Sequence, residues 1–247
     1  MYLPRIQGVI DRRILVNYRV DADVLARLIP SPFRLHLVDG FGMAGICLIR
    51  LKGLRPRAFP ACVGIGSENA AHRIAVEWDE DGTIRHGVYI PRRDSSSLWN
   101  ALAGGRIFPG IHHRSRFSVV ETPNDFHVEF QSRDGTHVAV EGAIAQGLPA
   151  GSVFGSLPQA SQFFACGSVG YSPGRRPNCL DGIELCTRDW NMTPLAIRRV
   201  ESSVFSNTTI FPRGSIDFDC ALLMRDVAHE WHGRIPLQVG CDCLACA

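Results

Sequence analysis

Apolar and polar residues alternate with a period of two through most of this chain, and short turn sequences interrupt the alternation. That pattern restricts the chain to sheet structure, because successive side chains of a strand point to opposite faces. Ile14 to Val20 and Gly42 to Leu51 read as strands. Ile65 to Trp78 leads through Asp79, Glu80, Asp81 and Gly82 into Thr83 to Ile90, which predicts a hairpin. Pro123, Asn124 and Asp125 separate Arg116 to Glu121 from Phe126 to Ser132, and Arg133, Asp134 and Gly135 lead into Thr136 to Ala145, giving a three-stranded meander. Leu195 to Phe205 and Ser215 to Met224 are late strands. Helical patterns are few: a short turn after Asp21 as N-cap, Ser95 to Leu102, and Gln159 to Ala165. Many antiparallel strands and few helices predict an α+β, mainly antiparallel β fold with a curved, β-barrel-like core and a ligand site inside it. Residues 1–240 are expected to form one domain, followed by a mobile tail at 241–247 with Cys241, Cys243 and Cys246.

Charge and motifs exclude several function classes. A formal net charge of +2, spread along the chain, gives no basic stripe for nucleic acid. No uninterrupted apolar run is long enough to span a membrane, and Met1 to Gly8 lacks the apolar core of a signal peptide, so a cytoplasmic protein without membrane partners is expected. Nine cysteines in a chain of this length read as free or buried thiols rather than a disulfide framework. The tail offers three thiols where a zinc site needs four ligands, and no metal or other cofactor is expected. There is no Gly-rich phosphate loop, His-Glu-x-x-His helix or Gly-x-Ser-x-Gly elbow.

Two segments carry a resemblance. Ile14 to Phe33, with its strand, short helix and Pro30-Ser31-Pro32, resembles the opening of the acetoacetate decarboxylase-like superfamily. Gly64 to Asn69, followed by the hairpin ending Gly87 to Pro91, is similar to the part of that fold bearing its active-site glutamate. Gly167 to Pro173, Leu180 to Leu185, Trp190, and Leu222 to Trp231 resemble more specifically its YqjF-like branch. The resemblance implies a curved barrel-like core around a small-molecule cavity, often in a homo-oligomer. It also implies a Schiff-base lysine after the hairpin, in the stretch matching Gly105 to His113. Phe108 and Pro109 fit that pattern, but Gly110 and Ile111 stand where lysines would be expected. Without the covalent electron sink, inherited acetoacetate decarboxylation is not expected.

The candidate residues follow. Lys52 is the only lysine among 26 Lys and Arg side chains, so amine chemistry by a side chain depends on it; the alternative is a solvated loop lysine. Glu68 matches the family's glutamate and is a candidate proton carrier or a structural ion-pair partner. His72 shares its strand face and would assist, as would His112 or His113, of which one is expected to face inward. Arg92 and Arg93 are candidates to clamp a carboxylate, the alternative being a pairing of arginine with Asp94; Tyr89 and Phe108 join them as candidate ligand-binding positions. His229 with Asp226 or Glu230 is read as part of a rim network after the last core strand. The expectation is thus a protein that holds a small, anionic carbonyl compound such as a keto acid. Acid–base chemistry through Glu68, of lyase, isomerase or hydratase type, stands beside two alternatives: a binding or sensing module, and a decarboxylase using Lys52.

Overall fold

The computed structural model describes residues 5–97, 110–174 and 176–239. Thirteen described strands belong to one sheet. They are β1 (Ile6–Asp21), β2 (Arg34–Leu35), β3 (Leu37–Val38), β4 (Phe41–Pro56), β5 (Ile65–Glu80), β6 (Thr83–Ser95), β7 (His112–Glu121), β8 (Asp125–Ser132), β9 (His137–Ile144), β10 (Val169–Pro173), β11 (Cys179–Thr187), β12 (Thr193–Ser202) and β13 (Ile216–Gln238). The described α-helices are α1 (Ala22–Ala26) and α2 (Leu157–Cys166). The expected mainly antiparallel architecture is therefore observed, with parallel pairing of β6 to β7 and of β6 to β10.

Local chemistry accounts for the main boundaries. Asp81 and Gly82, at φ of 54° and 75°, make the tight turn from β5 to β6, where two positive φ values match the twist of the paired strands. Ser156 caps α2 by accepting from the Gln159 amide, with Pro158 in the first turn. Two helical expectations differ in detail. Asp21 precedes α1 without a side-chain capping bond, and Ser95 ends β6 instead of opening a helix, because its backbone pairs with Asn69 and Arg114 on either side. The rest of the helix expected to Leu102, from residue 98 on, lies outside the described residues, as does the cysteine tail.

The sheet curves until it closes twice. Pairing of β5 with β6 completes a ring through β6, β7, β8, β9, β12, β13, β1, β4 and β5. Pairing of β11 with β13 completes a second ring through β11, β10, β6, β5, β4, β1 and β13. The rings share the wall β13–β1–β4–β5–β6, so both faces of that wall are enclosed. Alternate residues serve different interiors. Ile14, Val16, Ile46, Leu48, Ile74 and Val76 enter the core of the nine-stranded ring, whereas Leu15, Met43, Cys47, Ile49 and Ala75 enter the seven-stranded one. Burying both faces explains why β4 reads as a nearly continuous apolar run from Phe41 to Ile49.

The last strand corrects one expectation. Residues 225–232 do not form a rim loop; they continue β13, which runs 23 residues to Gln238. Within the segment Arg225 and Val227 to Trp231 pair with β1, and from His229 onward the other edge pairs with β11, which holds its backbone as strand. Asp226, at φ 54°, marks the irregularity opposite Asp11. His229 is buried, and burial pushes its pKa down to about 4. Asp226 is exposed, and Glu230 pairs with His232 at 2.8 Å, so no catalytic dyad with His229 forms.

Candidate functional site: an arginine-lined cavity

The seven-stranded ring contains a cavity of about 100 Å³. Its walls are mostly apolar, from Ile49, Leu51, Val88, Ile90, Ile183 and Leu185. Into this surface project Arg13 from β1, Arg73 from β5 and Arg93 from β6, together with Asn69, Cys47, His112 and Trp231. α2 and the segment bearing Trp190 pack on the same core.

The three guanidiniums have neutral partners. Arg13 donates from Nε to Cys47 Sγ at 3.4 Å and from Nη1 to Met224 Sδ at 3.8 Å, with Trp190 stacked 5.4 Å from its guanidinium carbon. Arg73 donates to Asn17 Oδ1 and lies 5.0 Å from the Phe164 ring centroid, while its Nε has no hydrogen-bond partner. Arg93 donates from Nε to Ser172 Oγ at 3.2 Å, and its buried Nη2 has no hydrogen-bond partner. Among the described residues, no carboxylate lies within ion-pairing distance of any of the three. Sulfur and amide acceptors stabilise a cation far less than a carboxylate does. Desolvation accordingly pulls both Arg73 and Arg93 down to about 10. The cavity therefore has uncompensated positive charge in an apolar setting, an arrangement suited to a small anion.

The expected site residues are divided between the two rings. Arg93 and His112 border the cavity, and His113 lies 3.6 Å from Asp134, near the other side of the sheet. Glu68 faces the nine-stranded ring, where it accepts from Arg12 at 2.6 Å and Arg50 at 2.5 Å. Those two arginines also bind Glu121. His72 shares the Glu68 face but is buried against Phe205 with neither ring nitrogen hydrogen-bonded, and burial pushes its pKa down to about 4. Arg92 is occupied by a bidentate pair with Asp94 and by Asp134 at 2.6 Å. Tyr89 packs in the core of the nine-stranded ring near Phe33. Lys52 binds Asp11 at 2.5 Å with a mainly exposed side chain. Phe108 lies outside the described residues.

Gly110, where the resemblance implies a lysine, has a backbone that leaves no room for a side chain. Its φ is +92°, and a Cβ there would lie 2.8 Å from the Ser172 Cβ, so no side chain fits without rearrangement. Ile111 is 60% exposed. Neither position delivers a group to the cavity.

Sequence reading missed Arg13, Arg73, Asn69 and Cys47. Arg13 and Arg73 interrupt the apolar patterns of Ile10 to Val16 and Ala70 to Val76, and a charged residue within a two-faced apolar strand is the available signal.

Comparison with known structures gives the class of this architecture: it is an acetoacetate decarboxylase-like fold. Acetoacetate decarboxylase from Legionella pneumophila subsp. pneumophila str. Philadelphia 1 superposes with a TM-score of 0.62 at 11% identity, over 98% of this chain and 89% of that one. An acetoacetate decarboxylase-like enzyme from Sphingomonas wittichii RW1 gives 0.57 at 13% identity, over 96% and 92% of the two chains. The enduracididine biosynthesis enzyme MppR, complexed with pyruvate, gives 0.56 at 8% identity, over 96% and 90%. No curated protein matches by sequence. The chain belongs to the DUF2071 family, described as uncharacterized conserved proteins, whose model matches residues 10–210.

Proposed function

We propose that the protein binds a small keto acid or a similarly sized carboxylate in the seven-stranded ring, with Arg13, Arg73 and Arg93 holding the anionic group. The observation that carries this reading is the set of three arginines facing one apolar cavity without a carboxylate partner among the described residues. A bound carboxylate supplies the missing countercharge and bidentate acceptors. The volume of about 100 Å³ restricts the ligand to a small acid, since a cavity of roughly 150 Å³ holds benzene. Asn69 and His112 border the same space. The pyruvate complex of MppR, on the same fold, supports this ligand class.

Proton transfer through Glu68 is not part of this reading, because two arginines occupy its carboxylate on the other face of β5. Nor is a Schiff base at Lys52, whose amine is engaged by Asp11 outside the cavity. The test is thermal unfolding with pyruvate, acetoacetate and 2-oxobutyrate, compared with acetone and acetamide. Carboxylates should raise the unfolding temperature and the neutral compounds should not. Equal responses from the two groups would refute an anion-selective cavity.

A further inference from the structure

Three guanidiniums border the cavity, and among its described lining residues only Cys47 has a side chain that readily becomes an anion. Cys47 lies on β4, paired with Leu15 of β1 and Ala71 of β5, which fixes its backbone between the strands that carry Arg13 and Arg73. Its sulfur accepts from Arg13 Nε at 3.4 Å. Arg73, which is 7% exposed and whose Nε has no hydrogen-bond partner, and Arg93, whose Nη2 has none, line the same space. Cysteine sulfur is a strong nucleophile towards an electrophilic carbon, and the surrounding cations can seat an anionic electrophile beside it.

We propose that Cys47 is the nucleophile of this cavity and captures a bound keto acid reversibly through its sulfur. The inference rests on the carboxylate-binding reading above, since the arginines must seat the acid beside the thiol. In the step, the Cys47 sulfur forms a bond to the ligand's carbonyl carbon and the carbonyl π bond breaks. The proton originally on sulfur ends on the former carbonyl oxygen. The product is a hemithioketal, with no change in oxidation state. Its tetrahedral carbon carries no π system to accept an electron pair from a departing carboxylate. The adduct therefore holds a keto acid without decarboxylating it, unlike an iminium ion.

The experiment uses the intact wild-type protein and two alkylating reagents of nearly equal size, anionic iodoacetate and neutral iodoacetamide, with peptide mapping by mass spectrometry. Each forms a sulfur–carbon bond with loss of iodide. Cys62 and Cys166 are exposed and serve as internal references. The ratio of iodoacetate to iodoacetamide labelling at Cys47 should exceed that at Cys62 and Cys166 by about tenfold or more, the effect of a charge-assisted hydrogen bond. Pyruvate should suppress labelling at Cys47 alone, and Arg93→Gln should reduce the preference. With [2-13C]pyruvate, an NMR signal should move from the carbonyl to the tetrahedral region and disappear in Cys47→Ser.

If pyruvate stabilises the protein while Cys47 shows no anionic preference and no tetrahedral signal, the nucleophile assignment is overturned and the arginine cavity stands. If pyruvate neither stabilises nor protects, both assignments fall.

Discussion

Replacing Arg73 by Met should separate the cost of the cavity from its use. Burial lowers the guanidinium pKa from 12.5 to about 10, which at roughly 1.4 kcal/mol per pH unit destabilises the charged form by about 3 kcal/mol. The group remains charged at neutral pH, so that penalty is fully present there. As pH rises from about 10 towards 12.5 the unfolded chain holds the proton longer, and the penalty is relieved. Met fills similar space and can still touch the Phe164 ring, although Asn17 loses the donor now bound to its Oδ1. Losing that buried partner costs about 2 kcal/mol. The balance is a gain of about 1 kcal/mol, or roughly 2–4 °C in unfolding temperature for a chain of this size. The same substitution should weaken carboxylate binding by roughly 10- to 100-fold, the range of one hydrogen bond to a charged group. Differential scanning calorimetry gives the first quantity and isothermal titration with pyruvate the second. A variant several degrees less stable than wild type, or one with unchanged affinity, would show that Arg73 is balanced within the free protein and is not held in reserve for a ligand.

Three other perturbations probe the remainder of the structure. Glu68→Gln should destabilise the fold by about 1–3 kcal/mol in urea titrations, because among the described residues buried Arg12 then keeps only Glu121 as a charged partner, yet leave ligand affinity unchanged; lost affinity at unchanged stability would place Glu68 back in the site. His72 and His229, each lowered to about 4, are neutral in the folded protein, so stability should fall as pH drops from about 6.5 to 4, where the unfolded chain binds protons that the folded one excludes. Each contributes about 3 kcal/mol to that loss by pH 4, and His72→Leu should flatten the acid limb measured by urea unfolding at pH 7 and pH 5. Gly110→Ala should cost about 1–3 kcal/mol through its positive φ and the close approach to Ser172, with circular dichroism melting as the check; wild-type stability would mean that this loop repositions freely.

Much of the architecture was legible because it is written in local chemistry. The period-two runs, the Asp81-Gly82 turn and the helical pattern of Gln159 to Ala165 each determine their own neighbourhood, and they correspond to β5, β6 and α2. The double closure was not legible, since it depends on which distant strands meet: β11 finds the far half of β13 only after the sheet has curved. The extent of β13 was missed for the same reason, as Arg225 to His232 carry charges typical of a loop and are strand because β1 pairs along them and β11 joins from His229 onward. The candidate site was read through the family pattern, which directed attention to Glu68. What separates Glu68 from the cavity is a single step of alternation: its neighbour Asn69 borders the cavity and Glu68 does not.

That alternation along the shared wall divides one stretch of chain into two independent sets of positions. On β1, β4 and β5, one parity maintains a packed interior and the other composes the surface presented to a ligand. Selection can therefore revise ligand preference by exchanging residues such as Cys47, Ile49 or Arg73 while Ile46, Leu48 and Ile74, which keep the neighbouring ring folded, stay as they are. An insertion or deletion of one residue has no such freedom, because it exchanges the two sets at once. Members of a family built on this wall should diverge by substitution at alternate positions and keep the strand lengths between turns fixed.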